Sequence, residues 1–379
     1  MNMSKKKWAD VLTVISGKNQ KAVVNPNGKY PIYGSGGIMG YADDFLCEAG
    51  TTIVGRKGTI NKPIFVTERF WNVDTAFGIS PGPELNPKYL FYFCRHFNFK
   101  ELDKSTTIPS LAKRDLLAID IPLPSLDEQK RIVSRIEELF SELDNGVETL
   151  QKTKRQLAVY RQAVLKDVFD KAGEIQTPLK QIIEKPRYGT SKKCSYDIDD
   201  TSIPVYRIPN VHYWNGTISH DDLKYASFTE DEFETLKLNV GDILIIRSNG
   251  SVSLVGRSAV ISEKDIHGLF AGYLMRLRIK LGVKVLPQYL NLYLNTHYAR
   301  VQLERMAKST SGVNNINSDE ICRISLPICD IDTQKEIIQE IESRLSVCDS
   351  IEKTVDIALQ QAEAMRHSIL KQAFEGRLG

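Results

Sequence analysis

No stretch of about 18 apolar residues occurs in this chain, so a bilayer-spanning helix is not expected. Its start, Met1-Asn-Met-Ser-Lys-Lys-Lys-Trp8, is basic but lacks the apolar segment of a secretory signal, and a cytoplasmic location is expected. Cysteine is sparse: Cys47, Cys94, Cys194, Cys322, Cys329 and Cys348 are scattered, with no C-x-x-C pair and no neighbouring His. That spacing argues against a zinc ribbon or a disulfide framework, and reduced, mostly buried thiols with no metal are expected. Catalytic signatures are missing too. The chain has no G-x-x-x-x-G-K-[S/T] loop, no H-E-x-x-H, no [N/D]-P-P-[Y/F] segment and no Ser or Cys in a nucleophile elbow. The Gly-rich run Gly34-Ser-Gly36-Gly37-Ile-Met-Gly40 has Met39 where a dinucleotide fingerprint needs its third Gly, and a tight turn accounts for it. No catalytic residue and no cofactor is therefore expected in this chain. Nor does one sign of charge dominate: 50 Lys+Arg against 47 Asp+Glu leave +3, which neither demands nor excludes nucleic acid. Only clustering of the basic residues can decide that question.

What is present is a long internal repeat. The segment Ile121-Pro-Leu-Pro-Ser-Leu-Asp-Glu-Gln129-Lys130-Arg-Ile132 matches Leu326-Pro-Ile-Cys-Asp-Ile-Asp-Thr-Gln334-Lys335-Glu-Ile337 at an offset of 205. The match continues without a gap through Glu137/Glu342, Asp144/Asp349, Arg161/Arg366, Leu165/Leu370 and Phe169/Phe374. The chain is two copies of one unit of about 200 residues, well beyond a solenoid period.

Each copy ends in a seven-residue apolar rhythm: Ile136, Leu143, Leu150, Leu157 and Val164 in one, Ile341, Cys348, Val355, Ala362 and Ile369 in the other. A neighbouring stripe holds Ile351, Ala358 and Met365. This spacing predicts long helices packed as a coiled coil, each roughly 63 Å for about 42 residues. Asp127 and Asp332 fall near the first turns, where an acid suits the helix dipole.

The preceding halves read as short apolar runs broken by Gly, Pro and Asn, such as Thr52-Ile-Val54 and Asp242-Ile-Leu-Ile-Ile246, so compact mixed α/β heads are expected. The expected fold class is α+β. Residues 1–123 and 173–328 form two heads, and residues 124–172 and 329–379 form two long antiparallel helices related by an internal pseudo-twofold. Outside the helices the copies share little sequence, as two readers of different targets would.

Basic Gly turns recur in both heads. The first has Arg56, Lys57 and Thr59 around Gly58, with Lys62 behind; the second has Arg247, Asn249 and Ser251 around Gly250, then Arg257. Before each helix lie Lys104-Ser-Thr-Thr107 and Lys308-Ser-Thr-Ser-Gly-Val-Asn314-Asn315. Gly admits close backbone approach to a duplex, Lys and Ser/Thr suit phosphates, and Arg and Asn can pair with base edges. One such turn reads equally as a solvated hairpin; recurrence in both heads favours DNA contact.

These residues carry a family resemblance along essentially the whole chain. Tyr30-Pro-Ile-Tyr-Gly34, Thr52-Ile-Val-Gly-Arg-Lys-Gly-Thr59, Trp71-Asn-Val-Asp74, Ile121-Pro-Leu-Pro124 with Glu128-Gln129, Tyr206-Arg-Ile-Pro-Asn210, Val240-Gly-Asp-Ile-Leu244 and the ending Ile369–Leu378 occur in order within the duplicated frame. The chain resembles the DNA specificity subunit of Type I restriction–modification systems. It departs from the family pattern at Cys329 and Thr333, where Pro and Glu are usual, and in a short first head. The resemblance implies a non-catalytic subunit whose two target-recognition heads each read half of a split site in double-stranded DNA. It implies that the helices set the spacer and dock two modification subunits, with Ile136, Leu143, Leu150, Leu157, Ile341, Val355 and Met365 as candidate partner-binding residues. S-adenosylmethionine, ATP and Mg would belong to the modification and restriction subunits. A coiled-coil adaptor that binds only protein is the alternative reading.

Overall fold

The computed structural model describes residues 4–105, 107–173, 175–199, 201–310 and 312–378. Thr106 and Ser311, each inside one of the two turns that precede the helices, lie outside the described residues. The contacts divide the chain into two units, residues 1–152 with 355–379, and residues 153–354.

In the first unit, Thr51–Gly55 is buried along its whole length, which suits its β-branched run to a central strand. It lies between Ala76–Pro81 and Ile64–Val66, and Leu12–Ser16 completes a four-stranded antiparallel sheet. A second sheet orders Gly37–Ala42, Tyr30–Gly34 and Trp71–Asn72, the last pair parallel. The second unit repeats this plan. Its four-stranded sheet runs Arg187–Tyr188, Leu274–Leu277, Ile243–Ile246, Ser258–Val260. Its smaller sheet runs Lys224–Ser227, Ser202–Tyr206, Leu269–Phe270, again with the last pair parallel. Strand order and sense agree, so heads with little shared sequence have one topology.

Each head joins its long helix through one buried glutamine. Gln129 Oε1 accepts from Asn86 N at 2.7 Å, while its Nε2 donates to the carbonyls of Glu84 and Pro124 at 2.9 Å. Gln334 repeats the set with Leu286 N, Lys284 O and Cys329 O, each at 2.9 Å. Because the last acceptor is a backbone carbonyl, Cys329 serves as well as proline. Tyr89 and Tyr289 add the same bond, each donating to the carbonyl of Pro122 or Pro327 at 2.9 Å.

The long helices span Leu126–Phe169 and Ile331–Phe374, 44 residues each. Their caps lie just before them: Glu128 N donates to Ser125 Oγ, and Asp332 N and Thr333 N donate to Asp330 Oδ1. These are the side-chain acceptors that orphan first-turn N–H groups require. Within each unit the helices pair antiparallel. In the first, Ile132, Ile136 and Phe140 share a core with Leu370, Ala373 and Phe374, under Tyr89 and Phe93. In the second, Val164, Leu165 and Phe169 meet Ile337, Ile338 and Ile341 beneath Tyr289 and Tyr293. Each such side chain, fully buried, contributes roughly 1.5–3 kcal/mol.

Candidate nucleic-acid interface

Arg56 and Arg247 occupy the same place in their heads, immediately after the central strand. Arg56 N donates to Thr75 O at 2.8 Å and Arg247 N to Tyr273 O at 2.9 Å; their carbonyls accept from Leu111 N and Ile316 N. Each guanidinium is tethered by Nη1 to a backbone carbonyl, Asp74 O at 3.4 Å for Arg56 and Gly272 O at 3.1 Å for Arg247. Arg56 lies over Phe77 at 5.8 Å, and Arg247 over Tyr188 at 4.7 Å. Among the described residues neither has a carboxylate partner, so both present uncompensated positive charge. Sequence alone offered them as members of separate motifs.

Pairing gathers the remaining polar residues of the second head. Ser248–Asn249, Val313–Asn315 and Lys308–Thr310 form a three-stranded sheet in which Ser248 and Lys308 both register on Asn315. Asn314 Nδ2 donates to Gly250 O at 2.9 Å, and Asn249 Oδ1 accepts from Ser251 N at 2.8 Å, which shapes the loop. Asn249 Nδ2 and the Asn315 amide have no hydrogen-bond partner among the described residues, so these two are available to base edges. In the first head, Lys57 bridges Ser110 and Gly58 N donates to Pro109 O at 3.0 Å. Gly58 has φ +76°, a conformation that costs a side chain but not glycine. Lys57, Thr59 and Lys62 are exposed there, whereas Lys104 is engaged by Asp115 at 3.3 Å.

Arg257, the other arginine offered for DNA contact, is half-buried. Its guanidinium packs over Tyr213 at 4.7 Å and donates to Ser253 O and Asn295 Oδ1, both at 3.3 Å. Burial, then repulsion from Arg300, pulls its pKa below the ordinary arginine value. Arg300, for which the sequence held no signal, is 5% exposed and donates to the carbonyls of Val255 and Ser253. The two arginines hold the 251–257 loop from within.

The helix residues need a similar correction. Ile136 and Ile341 are fully buried and Val355 is 5% exposed, while Leu143, Leu150 and Leu157 are half-buried. At Ile136, Ile341 and Val355 the heptad seam is taken up within the chain itself, while Leu143, Leu150 and Leu157 keep part of their surface open. Met365 stays open at 47%, and Val347 and Ile351 lie on the same helical stripe at 58% and 41%. Among the described residues no group of His, Cys, Asp and Glu is placed to hold a metal, and no helix is long and apolar enough to cross a membrane.

Comparison with known proteins finds relatives for this chain. Residues 2–154 match the family described as Type I restriction modification DNA specificity domain. The EcoKI specificity subunit of Escherichia coli (strain K12) is 26% identical over 330 residues, covering 80% of this chain and 69% of that protein. The StySPI specificity subunit of Salmonella potsdam is 27% identical over 318 residues, covering 79% and 67%. A chain solved in work on assembly and conformational transition of the type I R-M system superposes with TM-score 0.75 at 15% identity, covering 99% and 98%, which shows the fold. Over about four fifths of its length the chain is therefore similar to Type I restriction enzyme specificity subunits, and its first 154 residues carry the match to the DNA specificity domain.

Proposed function

We propose that this chain reads a two-part DNA target for a Type I restriction–modification complex, each head taking one half-site. The observation that carries the reading is the equivalence of Arg56 and Arg247: one tether on one topology, surrounded by different side chains. Two readers built alike but lined differently suit two different half-sites. The long helices set the spacer between half-sites, as dimer geometry does in other DNA readers. The open stripe of the second helix, at Val347, Ile351 and Met365, receives a modification subunit, and the family resemblance implies two such subunits per chain. The adenine to be methylated leaves the stack into a partner's pocket. S-adenosylmethionine, ATP and Mg act in the partners, restriction subunits included, and the complex works in the cytoplasm.

Methylome sequencing of cells that express this chain with its modification subunit tests the reading. A split motif carrying N6-methyladenine is the expected result. A soluble complex that leaves no new methylation would transfer support to the protein-only adaptor.

A further inference from the structure

The second head has a cleft of about 560 Å³ beside Arg247, whose lining includes Lys192, Arg207, Lys224, Gly272 and Tyr273. Four of its lining side chains are cationic and none is a carboxylate. Lys192 is paired with Glu232 at 2.6 Å and Arg207 with Asp222 at 2.9 Å. Lys224 and Arg247 form no ion pair among the described residues, although Asp222 acts on Lys224 through space; each lies over a tyrosine ring, Tyr196 at 4.6 Å and Tyr188 at 4.7 Å. The Nε atoms of Arg207 and Arg247 are shielded from solvent and have no acceptor, so the cationic groups here are under-satisfied. Cys194, also in the lining, feels both Arg207 and Lys224: burial raises its pKa and the two cations act against that rise.

The first head lacks this feature at the same place. Strand register equates Val205 with Ile32, since each pairs in parallel with the equivalent short strand. Lys224, opposite Val205, then corresponds to Gly40, opposite Ile32. Arg207 corresponds to Gly34, and Gly272 to Asp74, whose carbonyls hold the two equivalent arginines. Two cations in one head are glycines in the other, and an exposed acid stands where the second head has glycine.

We propose that the cleft of the second head seats a backbone phosphate of the bound DNA between Arg247 and Lys224, a clamp the first head does not have. This rests on the DNA-reading function above. Lys224 and Arg247 line one cleft without forming an ion pair, Asp222 acting on Lys224 only through space, and a phosphodiester supplies further charge and acceptors. Gly272 keeps the wall between them free of a side chain. The basic cleft beside Arg56 in the first head is built from other residues, Lys104, Lys113 and Arg114 with Asp115.

The test uses the full chain assembled with its modification subunits and a duplex carrying the methylated motif. Lys224→Glu should weaken binding about tenfold near 0.1 M salt and reduce the salt slope by about one, the loss of one phosphate contact. Lys224→Arg should restore both. Duplex DNA should also slow N-ethylmaleimide modification of Cys194 several-fold, leaving Cys322 and Cys329 unaffected. If the complex binds DNA but the Lys224→Glu slope is unchanged and Cys194 stays reactive, the clamp is wrong and the reading survives. Equal protection of Cys194 by free deoxynucleotide would make it a small-molecule site and overturn the DNA assignment. A wild-type complex that binds no duplex would overturn both.

Discussion

Arg161 donates to Asp349 at 2.6 Å and to Glu352 at 2.9 Å, and 205 positions on, Arg366 binds Asp144. Each arginine side chain is nearly covered, at 14% and 12% exposure, while its acid stays half open. The pairs fix how far each helix slides against the other, because a slip of one turn would separate them. Solvent reaches the acids, so the energy of each pair is discounted to about 1 kcal/mol. Arg161→Asp and Asp349→Arg should each destabilise the second unit, and combining them should recover at least half of the loss. Urea unfolding of the four proteins in that cycle checks it.

Gln129 and Gln334 should be far less tolerant. Gln129→Leu leaves Asn86 N–H and two carbonyls without the fully buried side chain that now bonds them. At about 1–3 kcal/mol per orphaned group, a loss of about 3 kcal/mol is expected. Gln334→Leu should cost its own unit the same, and denaturant titration that found either change neutral would contradict the role assigned here.

The helices were legible because a seven-residue seam and a fixed offset are both local signals. Similarity between the heads was not, and the reason is visible in the numbering. The spacing between equivalent residues is 173 for Tyr33 and Tyr206, 191 for Arg56 and Arg247, and 205 for Leu111 and Ile316. Extra residues accumulate through the second head, so no single offset aligns it with the first. What persists is a set of backbone bonds, which residue identity does not record. Loop chemistry offered Arg56, Arg247 and Asn249 as candidates, but the pairing of Asn249 with Asn314 is long-range and had no sequence signal. The same holds for Arg300, which looks like any helix-face arginine until its loop is folded onto it.

Burial pushes the Cys47 thiol up to about 12, and the thiol donates to Asn72 Oδ1 at 3.3 Å. The folded pKa is raised above the unfolded value of about 8.5, so this contribution is complete below that pH. It is lost as pH climbs from about 8.5 towards 12, where only the unfolded chain releases the proton. Stability should fall across that window, and Cys47→Ser should flatten the fall when both proteins are titrated.

Arg247→Ala should relax one half of the methylated motif and leave the other half unchanged. Arg56→Ala should do the converse. Sequencing the methylome of each variant reads both halves at once, and a change in both halves from either substitution would deny that the heads read independently.

Insertion of four residues near position 150 lengthens the helix by roughly 6 Å and should alter the spacer while preserving both half-sites. Ile351→Asp with Met365→Asp should weaken assembly with the modification subunit at least tenfold without altering the fold, since both are exposed. Circular dichroism and size-exclusion chromatography with the purified subunit separate the two effects.

Phe374 closes the core of the first unit, with its ring 5.1 Å from Tyr89, 5.3 Å from Phe93 and 5.5 Å from His96. On the ribosome this gives the two units different schedules. Residues 153–354 emerge as one stretch, whereas the contacts of residues 1–152 are completed only by 355–379. The head made first is the last to be finished. Until then Tyr89 and Phe93 lack their cover, so a ribosome that stops early releases a chain with one sealed unit and one sticky one, a ready substrate for chaperones and proteases.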